Sequence, residues 1–127
     1  MRGLLDTSVF IADEQGRELA TSRLPDEAAI SVVTLAELEL GVHLAGSEDA
    51  RGRRLRTLQA TQGTYVALPV DEGVASAFAE LVAIARRAGR HPKVQDAWIA
   101  ATARAHAVAV YTQDRDFDDL AIDVVRV

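Results

Sequence analysis

The sequence predicts an α/β domain: a parallel sheet with helices on both faces. Three observations carry that expectation. Short, continuous apolar runs recur without the polar alternation of a half-exposed strand. Segments with helical spacing separate these runs. The 127 residues suffice for one domain with a sizeable core but not for two comfortable ones.

A first strand is expected at "GLL" (3–5) and a second at "AAIS" (28–31). Thr34 is placed to cap a helix over "LAELELGVHLA", with Glu37 three residues on in the capping-box position. Asp49 to Gln62 reads as a polar, arginine-rich helix, and "TYVALPV" (64–70) contains a third strand closed by Pro69. Asp71 caps a run in which Val74, Phe78, Leu81, Val82 and Ala85 recur at helical spacing, and Gly89 ends it. The alanine-rich stretch from Asp96 to Ala107 is a strong helix former. It feeds a fourth strand in "AVAVYT" (107–112), and "IDVVRV" (122–127) adds an edge strand. Pro25 and Pro92 mark loops. With no internal repeat, low-complexity tract or linker, residues 1–127 are expected to form a single domain.

Hydrophobic residues make up 49% and charged ones 26%, an ordinary balance for a globular protein. The absence of cysteine excludes disulfides, thiolate metal sites and cysteine nucleophiles. Asp6 interrupts the N-terminal apolar run before a signal-peptide core forms. No apolar stretch approaches the roughly 18 residues of a membrane span, so a soluble, cytoplasmic protein is expected. The net charge of −5 argues against a generally basic nucleic-acid binder. Thirteen of the fourteen cationic residues are arginine, however, and they cluster. Arg51, Arg53, Arg54 and Arg56 form one group, and Arg86, Arg87, Arg90 and Lys93 another. Each group reads either as a solvated helix face or as a local source of phosphate contacts.

The stretch "LLDTSVFIA" (4–12) sets Asp6 among apolar residues, where an ionised carboxylate is costly unless something pairs with it. In an open parallel sheet, ligands bind beyond the carboxyl ends of the strands. Asp6 follows the first expected strand, and Asp114 and Asp116 follow the fourth. Glu37 lies early in the helix after the second strand, and Asp96 opens the helix feeding the fourth. Each has a local alternative: Asp6 as a turn residue, Glu37 in the capping box, Asp96 as an N-cap, and 114–119 as a solvated acidic loop. Their coincidence beside apolar walls favours a shared site, since such carboxylates repel one another and need a cation. Oxygen ligands without histidine or cysteine select Mg²⁺ or Mn²⁺. His43, His91 and His106 show no zinc-ligand spacing. A hard ion on an acidic cluster suits phosphodiester hydrolysis. No histidine is placed to activate Ser8 as a nucleophile.

"LLDTS", "TLAELELG", "DAWIAATA" and "TQDRDF", in this order and spacing, resemble the PIN-domain ribonucleases, above all the VapC-like toxins of bacterial toxin–antitoxin pairs. The resemblance spans nearly the whole chain. It implies a three-layer α/β/α sandwich, Mg²⁺- or Mn²⁺-dependent endoribonuclease activity, a cognate antitoxin and a homodimer. Position by position, Asp6, Glu37 and Asp96 match the family's three main acidic residues, and the fourth falls on Asp114 or Asp116. Thr7 and Thr112 match assisting hydroxyl positions, Thr7 as the group that orients the first aspartate. Trp98, Phe78 and Phe117 read as packing residues, as do Tyr65 and Tyr111 on strands. Two other functions stand beside the nuclease. One is a metal-free scaffold that binds RNA or protein. The other is an aspartyl-phosphate phosphotransferase, whose usual second carboxylate two residues on is here Ser8.

Overall fold

The computed structural model describes residues 2–127. Five parallel strands form one sheet in the order β3-β2-β1-β4-β5. They are β1 (Arg2–Leu5), β2 (Glu27–Ser31), β3 (Ala67–Leu68), β4 (Ala109–Thr112) and β5 (Val124–Arg126). Five helices connect them: α1 (Thr7–Glu14), α2 (Val32–His43), α3 (Glu48–Thr64), α4 (Glu72–Arg87) and α5 (Val94–Ala105). Single 3₁₀ turns occupy Thr21–Arg23 and Asp116–Asp119.

Adjacent residues on a strand face opposite sides, and the two cores follow from that. Leu4 and Val110 point to one face, where Phe117, Val74 and Leu81 of α4 and Ile99 of α5 cover them. Leu5 and Tyr111 point to the other, against Phe10 of α1, Leu38 of α2 and Leu58 of α3. The result is the expected three-layer α/β/α arrangement. Each fully buried leucine or isoleucine contributes about 1.5–3 kcal/mol. Gly3 lies under Tyr111: a Cβ there would sit 2.2 Å from ring carbon Cε1.

The strands fall where the apolar runs put them, but two helix starts differ and a further helix, α1, follows β1. The chain does not continue as a strand through "SVFIA". It turns at Asp6 into α1, whose residues Thr7 to Phe10 are all buried. Helix α2 is capped by Ser31, whose Oγ accepts from the Val33 amide at 3.0 Å. Thr34 is therefore a buried residue inside the helix, and there is no capping box with Glu37. Helix α5 starts at Val94 with Lys93 as its N-cap residue, so Asp96 sits in the first turn and is not the cap. The Asp71 cap forms as expected, accepting from the Val74 amide at 2.9 Å. Ser47 caps α3.

The chain runs outward from β1 through β2 to β3, then returns to the other side of β1 with β4 and β5. The reversal lies between β1 and β4, and such a switch point opens a crevice beyond the strands' carboxyl ends. Asp6 and the loop after Thr112 flank that crevice.

Candidate active site

Asp6 is held from both sides of the crevice. Its amide donates to the Tyr111 carbonyl at 3.1 Å, prolonging the β1–β4 pairing by one residue. Its side chain accepts from Ser8 Oγ at 2.7 Å. Ser8 Oγ also accepts from the Gln113 amide at 3.0 Å and lies 3.2 Å from Thr112 Oγ1. Thr112 Oγ1 in turn accepts from the Asp114 amide at 2.9 Å. One hydroxyl thus ties the first carboxylate to the loop that carries Asp114.

Thr7 does something other than the family resemblance implies. Its Oγ1 donates to Glu37 Oε1 at 2.6 Å and lies 3.2 Å from Thr34 Oγ1, so it fixes the α2 carboxylate and not Asp6. The group that orients Asp6 is Ser8. Successive residues of a helix point about 100° apart, which lets neighbouring hydroxyls on α1 serve two different carboxylates.

Asp6 is 2% exposed, and burial is the main reason its pKa is pushed up to about 7. The Ser8 bond opposes that rise, and the charge of Asp114 adds to it. Asp96 is pushed up to about 6, first by burial and then by the charges of Asp116 and Glu37, with Asp114 adding a smaller share. These charge effects link Asp6 to Asp114, and Asp96 to Asp116, Glu37 and Asp114. Asp114 lies nearest in effect to Asp6, and Asp116 to Asp96. Among the described residues no three carboxylate or imidazole groups close on a single point. Thr7 on Glu37, Ser8 on Asp6 and Lys93 on Asp116 each hold a carboxylate by a bond of their own.

Asp96 Oδ2 is buried and has no hydrogen-bond partner. A carboxylate oxygen left so is unfavourable. Together with an all-oxygen donor set from four segments, it fits a hard divalent cation. Asp6, Glu37 and Asp96 with Asp114 or Asp116 are the candidates to hold one, and in this structure they line the crevice without converging on one point.

The cationic groups divide differently from the sequence clusters. Arg54 Nη1 donates to the Gly41 carbonyl at 2.7 Å, clamping α3 onto α2, and Arg51 pairs with Glu48 at 2.8 Å. Arg53 and Arg56 are exposed on α3, as are Arg86 and Arg87 at the end of α4. Arg90 Nε lies 3.8 Å from Asp119 Oδ1, and Lys93 Nζ 3.2 Å from Asp116 Oδ2. Lys93 therefore belongs to the acidic cluster. Arg126 of β5 grips the same loop: its Nη2 donates to both Asp118 carboxylate oxygens and its Nη1 to the Asp114 carbonyl. Sequence reasoning left out Ser8, Thr34 and Arg126 as members of this network. Only the Asp-x-Ser spacing hinted at the first. Trp98 stacks on Phe78 with ring centroids 3.8 Å apart, so it joins α5 to α4. Tyr65 follows α3, off the strands, and meets Phe10 edge-on.

A parallel α/β/α sandwich with carboxylates gathered at the β1/β4 switch point places the chain among open α/β folds whose site lies beyond the strands' carboxyl ends. The PIN domain family matches residues 3–123, and the chain belongs to that family. It is 44% identical to ribonuclease VapC5 of Mycobacterium tuberculosis, over 98% of this chain and 95% of the relative. It is 32% identical to toxin FitB of Neisseria gonorrhoeae, over 87% of this chain and 86% of that protein. The crystal structure of VapBC-5, a toxin–antitoxin system of Mycobacterium tuberculosis, superposes with a TM-score of 0.88 at 42% identity. That match covers 99% of this chain and 97% of the other. No helix among the described residues is long and apolar enough to cross a membrane.

Proposed function

We propose that this chain is a Mg²⁺- or Mn²⁺-dependent endoribonuclease, the toxin of a toxin–antitoxin pair, restrained by a cognate antitoxin. The observation that carries the reading is the buried carboxylate of Asp6 beside the half-buried Asp96, whose Oδ2 is enclosed and unpartnered. The similarity to proteins named ribonuclease VapC5 and VapC4 supports RNA as substrate. The toxin–antitoxin solved structures support an antitoxin partner. The reading includes a homodimer in the cytoplasm, with residues 1–127 acting as one nuclease domain.

In this reading Asp6, Glu37, Asp96 and one or both of Asp114 and Asp116 hold the ion. Bound there, a divalent ion supplies Lewis acidity and offsets the charge that grows on a phosphodiester under attack. The chain's own groups set the stage. Ser8 fixes the Asp6 oxygen, Thr7 fixes Glu37, and Thr112 holds the amide of Asp114 at the crevice mouth. Asp6 and Asp96 share protons with solvent near neutral pH and release them as a cation arrives. With a net charge of −5, RNA must be attracted locally, and Arg86, Arg87 and Arg90 stand at the end of α4 and beyond it.

The test is Asp6→Asn, which keeps the shape of the side chain and removes its charge. The variant should melt within a few degrees of wild type and cleave RNA more than about 100-fold more slowly, beyond the usual effect of an outer-shell change. Mn²⁺ should raise the melting temperature of the wild type and not of the variant. A folded Asp6→Asn protein that cleaves at the wild-type rate ends the nuclease mechanism. A wild type that binds RNA but neither takes up Mn²⁺ nor cleaves is the metal-free scaffold.

A further inference from the structure

Lys93 stands where a helix disfavours a lysine. It is the N-cap residue of α5, and its side chain makes no bond to the helix amides. That position favours Ser, Thr, Asp or Asn, whose oxygens accept from those amides. A cation there also faces the positive end of the helix dipole. A locally unfavourable choice beside a candidate site points to a use outside the helix. Lys93 is the one lysine in the chain. Its Nζ donates to Asp116 Oδ2 at 3.2 Å, and the charges of Asp96 and Asp114 also act on it. The side chain is 70% exposed, so the ammonium enters the cluster from the solvent side and can leave it without disturbing the core. Arg90, the nearest cation in sequence, pairs with Asp119, further along the loop.

We propose that Lys93 is a resident counter-cation of the acidic crevice, one that competes with the divalent ion for Asp116 and so sets the crevice's metal affinity. The inference rests on the metal-ion reading above. Without an ion, the ammonium offsets part of the repulsion among Asp96, Asp114 and Asp116. When an ion enters, Asp116 must give up its bond to Lys93, and a positive charge remains close to the ion. Both effects weaken binding. Lys93 is therefore a positioning residue that holds Asp116 until an ion displaces it.

Mn²⁺ titration calorimetry, without RNA, on wild type, Lys93→Met, Lys93→Arg and Asp6→Asn tests this. Lys93→Met should bind Mn²⁺ about two- to fivefold more tightly, the range open to an exposed ion pair, and the gain should shrink at high salt. Lys93→Arg keeps the charge and should stay near wild type. Unchanged or weaker binding by Lys93→Met overturns the proposal, as does equal tightening by Lys93→Arg. If wild type binds Mn²⁺, Asp6→Asn does not, and Lys93→Met matches wild type, only the role of Lys93 falls. If wild type takes up no Mn²⁺, or Asp6→Asn binds as wild type does, the metal-ion reading fails with it.

Discussion

Asp6 has its folded pKa raised to about 7 and Asp96 to about 6, both from 3.8 and both chiefly by burial. The native state therefore holds more protons than the unfolded chain between about pH 4 and pH 7. In a chelator, these two groups contribute stability at low pH that is lost as pH rises through that window and is gone above it. Comparing wild type with Asp6→Asn isolates the Asp6 share. The melting temperature of the wild type should fall relative to the variant from pH 5 to pH 8, and saturating Mg²⁺ should reverse the fall. A difference that grows in favour of wild type with rising pH in chelator contradicts the burial account. Ser8 sharpens the same argument, because its side-chain bond is the largest influence favouring the charged form of Asp6, ahead of that of Thr112. Ser8→Ala should keep the fold and weaken Mn²⁺ binding at pH 7 about 10- to 100-fold. The deficit should narrow at pH 8.5, where Asp6 ionises without help; a deficit independent of pH assigns Ser8 a purely geometric role. Asp6 was legible in the sequence because a carboxylate interrupts an apolar run. The assignment of Ser8 to Asp6 and Thr7 to Glu37 was not, because it depends on where α1 begins.

The elements were legible in proportion to their length and periodicity. Helix α4 shows both its cap and its spacing in the sequence, and the structure keeps both. Helix α1 has eight residues, most of them buried, so no polar face marks a helical period. Strand β3 keeps only Ala67–Leu68 of the seven-residue stretch expected to contain it. Thr34 and Asp96 have capping chemistry but lie inside the first turns of α2 and α5, where Ser31 and Lys93 occupy the cap positions. Local propensity and tertiary demand coincide in type there and differ in register. At β1 the binding constraint is packing: Gly3 must have no side chain because the ring of Tyr111, two residues beyond Gly3's partner Ala109 on β4, lies over it. Gly3→Ala forces the ring aside and should destabilise the protein by about 1–3 kcal/mol, the usual cost of overpacking. Urea unfolding would show the midpoint fall with little change in slope. Shortening the ring in Gly3→Ala/Tyr111→Leu should recover part of the loss, whereas no recovery places the strain in the backbone.

At the scale of the whole molecule, an acidic protein has to hold a polyanion, and the fold decides which arginines are free to help. Net charge and two arginine clusters were legible in the sequence; their separate fates were not, because pairing across elements depends on the packing of α2 on α3 and on the course of the 113–119 loop. Within the first cluster Arg54 is spent on the Gly41 carbonyl and Arg51 on Glu48. Within the second, Arg86 and Arg87 are exposed, and Arg90 approaches Asp119 at only 3.8 Å, a weak and exchangeable contact. Arg90 reaches the turn Asp116–Asp119 that carries Asp116, which sets the second cluster beside the crevice. Cations there make the local potential more positive for an arriving phosphate without cancelling the acidic cluster itself. Replacing Arg86, Arg87 and Arg90 together by alanine should therefore weaken RNA binding at low salt. Each lost phosphate contact removes about 0.7 from the slope of log affinity against log salt for a single strand, so the full loss is about 2. Mn²⁺ affinity should stay within about twofold, since these side chains lie outside the cluster and their fields are screened over a Debye length of about 8–10 Å. An RNA affinity and salt slope that survive the triple substitution reduce this cluster to a solvated helix end, and Arg53 and Arg56 of α3 become the cations to remove next.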